Sequence, residues 1–300
     1  MTATIRLAPA LKPLRGVRVL SLALNLPGPA ALMRLKAMGA SCLKAEPPAP
    51  KGAASGDPMG QYNPQAYATL HDGIKTVSID LKTDKGQTAL HKALARTDLL
   101  LTSFRPSALN KLGLGWKGLH KQYPALCVVA IVGAPGERAE EPGHDLTYLA
   151  DAGLVPGLDL PATLFADMGG ALMASEAALK AVMVQRSTGK GVFQEVALSD
   201  AAAWLALPRT WGLTQPSGAV GGAHAGYRVY PCKDGRVAVA ALEPHFAAAL
   251  CTAAGLAVSD MRALFKPETH AAIAAFLQGK TRKQLDQLSV AKDIPLHTLA

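Results

Sequence analysis

His144 and Asp167 are the two side chains whose surroundings in the sequence suit proton or nucleophile chemistry. His144 follows a glycine in Pro142-Gly-His-Asp-Leu-Thr-Tyr-Leu149, in the loop beyond the fifth predicted strand, where open α/β sheets bind their ligands. Taken alone, a single histidine there better fits a structural role. Asp167 stands at the start of a long helical pattern, where its carboxylate fits an N-cap. Gly169 and Gly170 follow in the first turn, and each weakens a helix by roughly 1 kcal/mol relative to alanine. Another group is therefore expected to approach the backbone of Asp167, Met168, Gly169 and Gly170 closely. A helix start offers free N–H groups and a positive dipole end, which together suit an oxyanion.

Other chemistries lose their usual support. The 8 histidines include no HExxH pair, and no GxSxG elbow positions a serine nucleophile. Gly113-Leu-Gly-Trp-Lys-Gly118 has the spacing of a dinucleotide fingerprint, but such a loop must follow a strand, and this one follows a helical pattern over residues 107–111. Cys42, Cys127, Cys232 and Cys251 lack CxxC spacing and histidines at zinc-ligand intervals, so reduced core thiols and no metal site are expected. A formal charge of +9 favours anionic partners, yet basic residues form no long cluster and aromatics are 5% of the chain. Nucleic acid is not expected as a partner, and an anionic small molecule bearing several phosphates stays open.

The elements that must position these residues alternate in type along the first half. Apolar or β-branched runs at residues 16–22, 41–45, 77–81, 99–103 and 126–132 read as strands. Helical patterns separate them, from Gly28 to Met38 and over 88–95, with Gly39 ending the first. Pro- and Gly-rich residues 47–64 read as an exposed loop. Alternation of this kind predicts an α/β fold with a Rossmann-like parallel sheet, which by itself identifies no ligand. The long helix from Asp167 runs to about Arg186, and Thr188-Gly-Lys-Gly191 makes the turn after it.

A different pattern begins after residues 208–226, which mix Pro, Gly and Ser. Residues 227–230 and 236–241, joined by Cys232-Lys-Asp-Gly235, predict a β-hairpin, and helices follow from Pro244 and Pro267. Residues 1–207 are thus expected as a large domain and 208–300 as a smaller α+β domain, consistent with a 300-residue chain that exceeds one simple domain. The most apolar stretch, residues 169–184, is interrupted by Glu176 and Lys180 and is shorter than the roughly 20 residues of a membrane span; no membrane association is expected. The opening MTATIRLAPALKPLRG has no continuous apolar core or small-residue cleavage signal, so a cytoplasmic protein is expected.

A family resemblance becomes specific when short phrases are read in order. Leu14-Arg-Gly-Val-Arg-Val-Leu20, Pro27-Gly-Pro29, Asp80-Leu-Lys-Thr83 with Gly86, Phe104-Arg-Pro106 with Leu112-Gly-Leu-Gly115, and Thr188-Gly-Lys-Gly191 resemble successive landmarks of the family III CoA-transferases. Within that family, Gly143-His-Asp-Leu-Thr-Tyr-Leu149 and Ala241-Leu-Glu-Pro-His-Phe246 are similar to the 2-methylacyl-CoA racemase branch. The resemblance implies an acyl-CoA substrate, a catalytic set of His144, Asp167 and Glu243, and CoA phosphate contacts from Arg105 and Lys75. It also implies a homodimer with sites between the large domain of one subunit and the small domain of the other.

For a racemase, the implied chemistry is removal of the α-proton on one face and its return on the other by His144 and Asp167, with Glu243 orienting the imidazole. Such a reaction requires no cofactor beyond the CoA carried by its substrate. Without the resemblance, Glu243 equally fits a solvated helix start before Pro244. As a transferase, the chain would use Asp167 as an acyl-carrying nucleophile. A third expectation, a CoA-binding or scaffold relative without turnover, arises from departures in the sequence. Pro47 replaces a usual basic residue, His71-Asp-Gly-Ile74 replaces Asn-Arg-Gly-Lys, and Gly133-Ala-Pro-Gly136 is followed by Glu137, Glu140 and Glu141. A shifted or weakened CoA pose is therefore expected. The sequence stops at Ala300, roughly where such proteins continue through helices that return to the large domain, so residues 208–300 are expected to lack most of that segment.

Overall fold

The computed structural model describes residues 11–257 and 260–300; the first ten residues of the opening stretch read above lie outside them. The chain divides into two compact units between Ala206 and Leu207. In the first unit, β1 (Arg18–Ser21), α1 (Pro27–Ala37), β2 (Ser41–Glu46), α2 (Pro58–Tyr62), α3 (Pro64–Leu70) and β3 (Lys75–Ser78) come first. They are followed by α4 (Asp84–Leu94), β4 (Leu99–Thr102), α5 (Pro106–Lys111), α6 (Trp116–Gln122) and β5 (Cys127–Val132). The unit closes with α7 (Asp145–Asp151), α8 (Phe165–Thr188), β6 (Phe193–Ala197) and α9 (Leu198–Leu205). Its six strands form one parallel sheet in the order β3-β2-β1-β4-β5-β6.

Helices cover both faces of this sheet, and the alternation of strand side chains separates two cores. Leu99, Leu101, Val129 and Ile131 pack with Leu32 and Leu35 of α1 and Ala174 and Ala178 of α8. Leu100 and Val128 point the other way, to Leu90 and Leu94 of α4 and Leu119 of α6. Small residues on α8 let it lie close to α1 and the sheet, and Gly189 at φ 72° ends it. Among the described residues, no helix is long and apolar enough to cross a membrane.

Three local expectations change. The third strand is Lys75–Ser78 rather than 77–81, because Asp80 starts a turn in which its Oδ1 accepts the Lys82 N–H at 3.0 Å. Residues 47–64 are not simply an exposed loop: Ser55, Asp57 and Met59 are buried, and Asp57 caps α2 by accepting the Met59 N–H at 3.0 Å. A sixth strand, β6, is present where Gln194 and Glu195 interrupt the apolar pattern that would signal it. It pairs with β5 along Val128 to Val132.

The second unit begins with α10 (Leu207–Thr210) and holds β7 (Tyr227–Cys232), β8 (Gly235–Ala240), α11 (Pro244–Ala253), α12 (Pro267–Gln278), α13 (Arg282–Lys292) and β9 (Leu296–Leu299). The expected hairpin is β7-β8, and β9 adds a third antiparallel strand. Its core joins Val237 and Val239 of the sheet to Leu250, Ile273 and Leu285 of the helices.

Candidate active site

The sheet changes its direction of growth between β1 and β4. From β1 the chain builds outward to β2 and β3, then crosses back to β4 and continues to β5 and β6. Loops leaving neighbouring strands part at such a point and open a crevice at their carboxyl ends. A cavity of about 530 Å³ lies there, walled by residues 24–27 after β1, residues 103–105 after β4, the end of β5 and the start of α7. His144, Asp167 and Arg105 all line it.

His144 is the N-cap of α7, in extended backbone. Thr147 holds it there: its hydroxyl accepts the His144 N–H at 3.1 Å and donates to the His144 carbonyl at 2.7 Å. The residue itself is exposed. Asp145, next in sequence, is buried, and its Oδ1 accepts the backbone N–H of Asp167 at 2.9 Å. One short segment therefore presents the histidine and pins the head of the helix that carries the aspartate.

Asp167 is not the N-cap that the sequence suggests. The helix begins two residues earlier, at Phe165, with Leu164 as N-cap and no side-chain cap bond. This leaves the half-buried carboxyl of Asp167 facing the cavity instead of closing a helix end. Burial pushes that carboxyl up to about 6, helped by the charge of Asp145 and opposed by His144. A carboxyl so placed exchanges its proton near neutral pH.

Gly169 and Gly170 serve the packing of α9. A Cβ on Gly170 would collide with Leu198 Cδ2, and one on Gly169 would come within 3.2 Å of Leu205 Cδ1. The N–H of Met168 already donates to the Leu164 carbonyl at 3.0 Å, and that of Asp167 to Asp145. The expected oxyanion site along residues 167–170 is thereby corrected. Helix contact explains the glycines, and the first two N–H groups have partners.

Tyr148, not anticipated from the sequence, supplies a donor in its place. It lines the cavity, and its ring is wedged against two backbones: a Cβ on Gly143 would lie 2.7 Å from Tyr148 Cζ, and one on Gly133 3.1 Å away. Burial raises the phenol, the Asp167 charge adds to this, and Arg105 opposes it. The hydroxyl thus stays protonated and able to donate a hydrogen bond. The signal in the sequence was the pair of glycines flanking the loop, legible only once their shared neighbour is known.

Arg105 stands at the N-terminus of α5 with Glu141 on the same cavity lining. Glu140, beside it, accepts the N–H and hydroxyl of Ser107 at 2.6 and 2.8 Å. Those bonds and the Arg105 charge hold its carboxyl below the usual range. Lys75 is elsewhere: it is exposed at the amino end of the edge strand β3, away from the carboxyl ends where the cavity opens. Glu243, in the second unit, is an exposed N-cap of α11 whose side chain makes no cap bond.

A family model described as CoA-transferase family III matches residues 14–300. The mouse protein named alpha-methylacyl-CoA racemase is 29% identical over 92% of this chain and 74% of its own length. Succinyl-CoA–D-citramalate CoA-transferase of Chloroflexus aurantiacus is 30% identical, over 63% of this chain and 50% of its own. A crystal structure of a hypothetical protein from Mycobacterium tuberculosis superposes with a TM-score of 0.81 at 25% identity, covering 97% of this chain and 86% of that one.

Proposed function

The chain belongs to CoA-transferase family III, whose curated relatives found here are racemases and CoA-transferases, and on that premise we propose that it racemises 2-methylacyl-CoA thioesters. The observation that carries this reading is that His144 and Asp167 line one cavity while the Asp167 carboxyl is held at about 6. An imidazole and a carboxyl whose hold on its proton is raised, on one cavity, suit a 1,1-proton transfer.

In this reading one of the pair removes the proton from the α-carbon, leaving an enolate whose charge gathers on the thioester oxygen. Tyr148 donates its O–H to that oxygen, in a site where a fixed donor stabilises developing charge more than water does. The other group then returns a proton to the opposite face. Arg105 at the cavity rim suits a phosphate of CoA, since guanidinium binds phosphate oxygens in a charge-assisted way. Protons alone move, so the reaction calls for no cofactor.

The test is incubation of one enantiomer of a 2-methylacyl-CoA in deuterated water. The expected result is α-deuterium incorporation and loss of optical purity without any added carboxylic acid. Replacing His144 by alanine or Asp167 by asparagine should slow inversion on the order of 10²- to 10⁴-fold, the range for losing a general acid or base. CoA exchange that depends on an acceptor acid, with a hydroxylamine-sensitive anhydride on Asp167 and no α-deuteration, would establish a transferase instead.

A further inference from the structure

A second group of charges is buried and tied to the cavity through Asn25. Lys44 and Asp57 are buried, with Glu46 and His71 beside them. The Lys44 ammonium pairs with Asp57 Oδ2, lies 3.2 Å from Glu46 Oε1 and meets His71 Nε2 at 2.8 Å. Glu46 also accepts the hydroxyls of Tyr67 and Ser55, each at 2.6 Å. His71 Nδ1 lies 2.7 Å from the Tyr67 carbonyl, which assigns the ring proton to Nδ1 and leaves Nε2 to accept from Lys44. Glu46, Asp57 and His71 are close enough together to hold a metal ion, but the lysine ammonium already supplies the cation among them.

What this cluster grips points back to the cavity. Asp57 Oδ1 accepts two backbone N–H groups, those of Asn25 and Met59, both at 3.0 Å. Asn25 lines the cavity at φ 64°, and among the described residues only Asp293 shares its left-handed backbone without being glycine. Met59 belongs to α2, which carries Tyr62 to the same cavity. One carboxylate oxygen therefore joins two cavity walls. Strained backbone persists only where the surroundings over-determine it, and it gathers at functional sites.

We propose that Asp57 and Lys44 are positioning residues for the reaction: Asp57 ties the Asn25 loop and α2 into one cavity wall, and Lys44 holds the carboxylate in place. Apolar side chains of similar volume would pack a fold at least as well as a buried ion pair, whereas they would leave the two N–H groups unanchored. The inference rests on the reading of this cavity as the acyl-CoA site.

Two measurements test it and keep the two readings apart. Amide hydrogen exchange reads the tie directly, with no substrate present. In Asp57→Ala, exchange at residues 24–26 and 59–62 should quicken at least about tenfold while β5 amides stay unchanged, as expected of a local opening. Kinetics read the consequence: kcat/KM for α-deuteration should fall about 100-fold, the scale of a misplaced cavity wall, at a temperature where the variant stays folded. Should Asp57→Ala not fold, Lys44→Met leaves the Asp57 carboxylate without its cation, and it should quicken exchange in the same segments and lower kcat/KM in the same direction, by less than Asp57→Ala. Unaltered exchange in these segments, or altered exchange with unaltered kcat/KM, would overturn the proposal. A wild-type protein that neither binds nor turns over acyl-CoA overturns the acyl-CoA reading, and with it the positioning role, whatever the exchange shows.

Discussion

Asp145 Oδ1 receives the backbone N–H of Asp167 at 2.9 Å, so the residue beside the cavity histidine fixes the head of the helix bearing the cavity aspartate. The contact does two things at once. It orients Asp167 by its backbone, leaving the carboxyl free, and it puts a second negative charge nearby that helps keep a proton on Asp167. Because His144 and Asp145 are neighbours on the same capped helix start, the two proposed proton carriers share one rigid support.

Asp145→Asn separates these effects, since an amide oxygen still accepts the N–H while the charge is gone. With Asp167 raised to about 6, the acidic limb of kcat/KM in the wild-type protein should fall near that pH, because the free protein's essential base sets the limb. The variant's limb should move to lower pH, the direction in which a lost neighbouring anion shifts a carboxyl. A pH–rate profile of α-deuteration measures it, and a limb that stays put would detach Asp145 from the tuning of Asp167.

Arg105 and Lys75 differ sharply in placement, which makes them a matched pair for binding. Arg105 lines the cavity, whereas Lys75 is exposed at the amino end of the edge strand. Calorimetry with CoA should show Arg105→Ala weakening affinity about tenfold at low salt, with the gap narrowing as salt screens the contact. Lys75→Ala should bind as wild type. Equal affinity of the Arg105→Ala and native proteins would remove Arg105 from the site.

Much of this arrangement was legible in the sequence, and the failures have identifiable causes. Strong apolar runs such as residues 99–103 and 126–132 announced the central strands, and a histidine after a glycine beyond the fifth strand reached the crevice because sheet topology sends that loop there. The sequence suggests a cap at Asp167 because caps favour aspartate, but the helix begins two residues earlier, at Phe165, with Leu164 as its N-cap. Gly169 and Gly170 suggest space for a ligand, and the occupants are Leu205 and Leu198 of α9, 36 and 28 residues onward respectively. Long-range neighbours of that kind leave no local periodicity. The same holds for Lys44, which is buried and whose partners Asp57 and His71 lie 13 and 27 residues onward.

Tyr148 invites a test in which its hydroxyl and its position are varied separately. Tyr148→Phe keeps the ring between Gly133 and Gly143 and removes only the donor, so kcat should drop about 10²- to 10³-fold with KM little changed, as for loss of an oxyanion donor. Gly143→Ala would drive a methyl group into the ring, which lies 2.7 Å from that Cβ position, and should lower kcat and raise KM together. Steady-state kinetics with a 2-methylacyl-CoA decide between these outcomes. A Phe variant as fast as wild type would leave Tyr148 with packing alone.

Asp167→Asn should make the protein more stable and less active, with the stability gain set by pH. The folded carboxyl titrates at about 6 against an ordinary 3.8, so between those values the native state holds a proton that the unfolded chain has lost. The group's stabilising contribution is therefore complete below the ordinary carboxyl value and is lost as pH rises through about 6, since stability falls wherever the native state binds more protons. Asparagine does not titrate. The difference in Tm between Asp167→Asn and wild type should accordingly be small at acid pH, grow across this interval and level off above it. Asp145→Asn lowers the same penalty from the other side, so the double variant should gain less than the sum of the two single changes, as expected for residues in direct contact. Thermal unfolding followed at several pH values from acid to neutral reads both effects. A pH-independent difference would show that the carboxyl of Asp167 carries no raised proton affinity, and the acid–base role assigned to it would fall with that result.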